Sequence, residues 1–314
     1  MKHASFFCAC IAGCAALLFS SCSSTEPLTA PYREYGSFAR PIPIPAPGQA
    51  QLARFSAGVP GVRDSVIKSD SSVVRGFTTR NREFLSDVIT PILAPIADSL
   101  RSQAPSDIIN ALAIFGHELF RMHLGKEFYR WGGDINDLDD PQEKGSRYAF
   151  AYGLDCSGFV NLPYELALRF ALIDSASEGA LFTAQGFARY CQSNHVQDKG
   201  SRTPNGNRFR LDTEDLYRLG REVFTVERGA SPSDEELRRA QPGDIVIRRG
   251  HVGMLVEIDH DLYYLESGGR VVPKVGWHPC HAKEAIEIFA KGGALSIRRA
   301  LPDRQLVSFT AESR

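Results

Sequence analysis

The stretch HVGMLVEIDHDLYYLE, residues 251–266, constrains the fold more than any other. Val252, Met254, Val256 and Ile258 recur at every second position, and so do Tyr263 and Leu265. That period is the mark of strands with one buried face. The two apolar sets meet on one face of an antiparallel pair only if the connection holds an even number of residues, which Asp259-His260 supplies. In that register Gly253 lies opposite Glu266, and Glu266 shares the second face with His251, diagonal to it. A slip of one residue would set Glu266 beside Met254, burying a carboxylate at high cost. The pattern therefore predicts a hairpin that presents His251 and Glu266 together.

The rest of the chain places helices before that hairpin and strands around it. Phe84, Val88, Ile92 and Ile96 recur on one helical face within 80–104, interrupted by Pro91 and Pro95. Ser106 has the character of an N-cap for a second helix, with a stripe of Ile108, Leu112, Phe115, Leu119 and Phe120, stopped at Gly125. Its His117 and His123 do not form a zinc-type HExxH pattern and read as ordinary helix residues. Further helices are expected near 181–192 and 212–221, after Ser233, and over KEAIEIFAKGG. QPGD at 241–244 reads as a turn, and DIVIRR and ALSIRRAL as strands. Helices followed by mostly antiparallel strands make an α+β pattern.

Cys156 stands in YGLDCSGFV, where an apolar helical run begins. Free N–H groups and the dipole at a helix N-terminus stabilise a thiolate. Gly158 leaves room for a substrate to approach the backbone. A base is available at His251, 95 residues later, and Glu266 can orient it. Cysteine, histidine and an orienting group are the minimum for nucleophilic acyl transfer. Two blander readings stand beside this one. Cys156 can be a buried apolar residue, or belong with Cys191, Cys280, His278 and His281 to a metal site, although no paired CxxC framework is present. Cys191 and Cys280 also form a candidate disulfide.

The blocks LGKEFYRWGG, DCSGFV, QPGDIV and GHVGMLVEI, in that order, resemble the NlpC family of bacterial cell-wall cysteine peptidases. The resemblance spans roughly residues 107–302, with apparent insertions at 134–151 and 174–240. It implies a reduced papain-like fold, N-terminal helices packed on a mostly antiparallel sheet, and hydrolysis of an amide in peptidoglycan stem peptides, often between D-glutamate and a diamino acid. It implies Cys156 as nucleophile and His251 as general base. Tyr129, Trp131, Asp155 and Ser157 fall in blocks that shape the substrate pocket, and the N–H of Cys156 is the implied oxyanion donor. Glu266 departs from the pattern, since the family usually has His, Asn or Gln there. A carboxylate still orients an imidazole, and it favours the imidazolium. No cofactor or metal is implied. An amidase or acyltransferase on the same scaffold, or a non-catalytic wall-binding protein, are the alternative readings.

The N-terminus reads as a targeting segment. Lys2 and His3 precede an apolar run, and LFSSC ends at Cys22, as in a bacterial lipoprotein signal over 1–21 with Cys22 lipidated. Residues 22–70, with RPIPIPAPG at 40–48, read as an extended tether. A helical segment over 71–105, the catalytic domain over 106–302 and a tail over 303–314 follow. The expected location is exported and membrane-anchored, facing the periplasm or cell wall, on the outer membrane in a cell that has one. Three cysteines remain after the anchor, so at least one thiol is unpaired in an oxidising compartment. With 36 basic against 37 acidic residues, the composition argues against a nucleic-acid partner.

Overall fold

The computed structural model describes residues 44, 84–123, 154–174, 179, 182–193, 211–267 and 280–303. The leader, Cys22, Tyr129, Trp131, His278, Gly125 and the insertion at 134–151 lie outside the described residues, as does the tether apart from Ile44. Within the described residues the protein is a mixed α+β structure: helices on both faces of a six-stranded antiparallel sheet. The strands are β1 (Arg221–Val226), β2 (Ile245–Arg248), β3 (His251–Ile258), β4 (Asp261–Leu265), β5 (Cys280–His281) and β6 (Leu295–Arg299), in spatial order β1-β6-β2-β3-β4-β5. The helices are α1 (Pro105–His123), α2 (Cys156–Arg169), α3 (Ala184–Ser193), α4 (Thr213–Leu216), α5 (Asp234–Arg239) and α6 (Ala282–Ala290), preceded by a broken helix. None of these helices is long and apolar enough to cross a membrane.

The expected hairpin forms in the expected register. Met254 faces Leu265, Val256 faces Tyr263, and Ile258 faces Asp261. Asp259 and His260 turn the chain with φ of 50° and 70°. Two consecutive left-handed residues are the signature of the tight turn whose twist matches that of the flanking strands. Val252, Met254, Val256, Ile258 and Leu265 then join one core with α1, α2 and the broken helix. Leu255 and Tyr264 project from the opposite face into a second core, against α6. Helix α6 buries Ala282, Ala285, Ile286, Phe289 and Ala290, a stripe at helical spacing.

Prolines set the shape of the first helix. A π turn, Leu85–Ile89, precedes Pro91, and a 3-10 turn, Ala94–Ile96, contains Pro95. A proline ring excludes the carbonyl four residues earlier, so the helix changes pitch at both sites instead of running straight. Helix α1 begins two residues earlier than the Ser106 cap would place it. Pro105 is its first residue, the position for which fixed φ and a missing N–H suit proline. Ser106 is buried in the first turn, and Ala104 O accepts from the N–H groups of Asp107 and Ile108 at 2.9 and 3.0 Å. Asn110 reaches across to β3, accepting from Glu257 N at 2.8 Å and donating to Glu257 O at 3.1 Å. It thereby satisfies backbone that lies beyond the end of β2.

Two strands were not legible in the sequence. The expected helix over 212–221 is only one turn, begun by an Asp212–Asp215 capping box. Gly220, at φ 69°, then turns the chain against the Arg299 backbone, and Arg221–Val226 becomes β1 at the sheet edge. The end of the supposed insertion at 174–240 is thus part of the sheet. Cys280–His281 adds the short edge strand β5. Ile44, within the proline-rich stretch, is half-buried against the first core.

Candidate active site

Cys156 is the first residue of α2, as expected, because Asp155 caps the helix. The Asp155 carboxylate accepts from Gly158 N at 2.7 Å and from the Ser157 hydroxyl at 2.8 Å. Such caps contribute about 1 kcal/mol. Asp155 and Ser157 are both buried, and these bonds hold the first turn around the thiol. The helix runs on through Pro163, and the Tyr164 hydroxyl donates to Gly243 O at 3.0 Å, tying α2 to the QPGD turn. Phe159, one turn after Cys156, is fully buried and meets the His117 ring edge-on at 6.1 Å. His117 is accordingly a core histidine, as read from its helix.

His251 opens β3 and Glu266 follows the last residue of β4, so both stand at the same end of the sheet. His251 Nε2 is in direct contact with Glu266 Oε2, and both side chains are buried. An ionised carboxylate only accepts, so this contact fixes the proton on Nε2 and leaves Nδ1 as the basic nitrogen. The Phe289 ring of α6 packs edge-on against the imidazole, with centroids 5.4 Å apart and planes at 85°.

The helix bearing the thiol is joined to this end of the sheet. Ser267, next to Glu266, donates its hydroxyl to Leu154 O at 2.6 Å, across 113 residues of sequence. Cys156 lies two residues beyond that carbonyl and is 7% exposed. Tyr264, unremarked in the sequence, completes the cluster by donating to Glu266 Oε2 at 3.0 Å. Burial, then the Glu266 carboxylate and negative charge at Cys156, push its hydroxyl well above the ordinary phenol range. It therefore stays protonated and keeps donating to Glu266. Its signal in the sequence was position alone, two residues before Glu266 on the same strand face.

Gly253 explains how the tyrosine fits. A Cβ there would fall within the Tyr264 ring. Gly253→Ala is expected to displace the ring, draw its hydroxyl from Glu266 and lower stability by about 1–3 kcal/mol, read by thermal unfolding. Unchanged stability would mean that the ring has another place to go.

Arg248 is a second residue missed by the sequence reading. It ends β2 directly opposite His251. Its guanidinium lies over the Phe289 ring, 4.7 Å from the centroid, and against Gly292, where a side chain would collide with Nη1.

The other cysteines sit apart from one another. Cys191 belongs to the core on one face of the sheet and Cys280 to the core on the other, and both are buried free thiols. The sheet lies between them, so the candidate disulfide does not form. Among the described residues no group of three His, Cys, Asp or Glu is placed to hold a metal ion. Burial and the neighbouring Glu284 push the Cys280 thiol up to about 11. It is expected to stay neutral and alkylate slowly at pH 8, accelerating only as pH rises toward that value. Rapid labelling of Cys280 near neutrality would refute this.

Compared with family models, curated proteins and solved structures, the chain matches none.

Proposed function

We propose that this protein is a cell-wall cysteine peptidase of NlpC type with a reduced papain-like fold, acting on an amide bond in peptidoglycan stem peptides. The observation that carries the reading is the tie between the start of the Cys156 helix, through Leu154 O and Ser267, and the sheet end where His251 meets Glu266. In this mechanism His251 Nδ1 takes the Cys156 proton, and the thiolate attacks the scissile carbonyl. The N–H of Cys156, at the helix start, donates to the developing oxyanion. The imidazolium, held by Glu266, gives its proton to the leaving amine as the C–N bond breaks. Water, deprotonated by His251, then attacks the thioester and releases the acid and the thiol. Asp155, Ser157, Tyr129 and Trp131 are assigned to the substrate side, and Cys22 to lipid attachment of an exported chain. These steps call on no cofactor.

The test is digestion of purified sacculi with analysis of the released ends. A new amino terminus on a diamino acid is expected. Loss of whole stems from muramic acid would make the protein an amidase, and no release at all would favour a binding role.

A further inference from the structure

We propose that Arg248 determines specificity by binding a free carboxylate of the substrate beside the scissile amide. The inference rests on the peptidase reading, because it requires Cys156 and His251 to act at this end of the sheet. Three observations carry it. Arg248 faces His251 across the β2–β3 ladder, and one ring, Phe289, supports both side chains. The Arg248 charge acts on the Tyr264 hydroxyl, as does Cys156, so both groups lie near that buried hydroxyl. Finally, among the described residues the guanidinium has no anionic partner. Its Nε is buried without a hydrogen bond, and among the described residues the side chain forms no ion pair.

A structural role at the helix end does not account for this. Arginine often serves the last carbonyls of a helix. Here the carbonyls of Glu287, Phe289 and Ala290 already accept from the N–H groups of Lys291, Gly292 and Gly293. A cation stacked on an aromatic ring, with its Nε–H unused among the described residues, suits a planar carboxylate. A glutamyl residue linked through its side chain carries such a group, since its α-carboxylate stays free next to the amide to be cut.

The experiment compares iodoacetate, an anion, with neutral iodoacetamide on the full-length protein, reading each cysteine by mass spectrometry. Either reagent forms an Sγ–CH2 bond as the C–I bond breaks and iodide leaves, while the thiol proton passes to His251 and on to solvent. At Cys156, Arg248→Gln is expected to lower the iodoacetate-to-iodoacetamide rate ratio by about tenfold, the worth of one charge-assisted hydrogen bond. Arg248→Lys should restore part of it, while the ratios at Cys191 and Cys280 stay fixed. An unchanged ratio in Arg248→Gln, or equal slowing by both reagents, would overturn the carboxylate role. A Cys156 inert to both reagents in the parent would overturn the peptidase reading, and this inference with it.

Discussion

Cys156→Ala is expected to reduce release of peptide ends from sacculi to background, a loss on the order of 10⁴-fold or more. The effect is large because the proposed catalysis passes through a covalent bond to one sulfur, and neither His251 nor Glu266 can substitute as nucleophile. Stability should barely change. The residue is 7% exposed, and the substitution removes one atom from the first turn of α2 without touching the Asp155 cap. Unfolding midpoints and circular dichroism of the variant should therefore overlay those of the parent. Full cleavage by a folded Cys156→Ala would remove Cys156 as nucleophile. The companion His251→Ala should also fall to background, whereas Glu266→Gln should keep part of the rate, since an amide oxygen still accepts from Nε2.

The largest effect on folding is expected at Arg299, far from the thiol. Arg299 Nε and Nη2 grip the two oxygens of Asp244 at 2.7 Å each, Nη2 also donates to Arg239 O at 2.6 Å, and Nη1 meets Asp303. Asp244 is fully buried and accepts from Gln241 N at 2.8 Å, so this one pair locks the QPGD turn onto β6. Arg299→Ala strands the carboxylate without its countercharge, which costs about 3–5 kcal/mol. For a domain of this size that lowers the melting temperature by roughly 10 °C. The single variants should each be worse than a double replacement of Asp244 and Arg299 by apolar residues of similar volume, because the penalty comes from the unpaired charge. Denaturant unfolding of the three proteins checks this. A harmless Arg299→Ala would show that water reaches Asp244.

Much of this arrangement was legible because it follows from periodicity. The alternation over 251–266 fixed the loop, the register and the shared face of His251 and Glu266. The apolar run after Cys156 announced a helix start, whereas the Asp155 cap shows only in the structure. The misses have different physical origins. REVFTV was assigned to a polar insertion because a one-turn helix and a glycine stand before it, and its pairing with β6 depends on contacts about 75 residues away. Ser106 looked like a cap when judged by its side chain, but proline at the next position back determines where α1 begins. The Cys191–Cys280 pairing failed because sequence gives no sign of which sheet face a helix covers. Arg248 and Tyr264 were unreadable for a related reason: their significance lies in what stands across the ladder, in one case His251 and in the other Gly253.

The position of β6 in the sheet bears on the order of folding. It is the last described strand in the chain, yet it lies between β1 and β2. A nascent chain that has not yet reached Leu295 has β1 with nothing to pair against and β2 with an open edge, and Asp244 still waits for Arg299. Assembly of the sheet, and with it the seating of the thiol-bearing helix, is thus deferred until these last residues emerge. Long-range closure of this kind is slow. Until then the start of the thiol-bearing helix, held to Ser267 through Leu154 O, has no finished sheet to rest against.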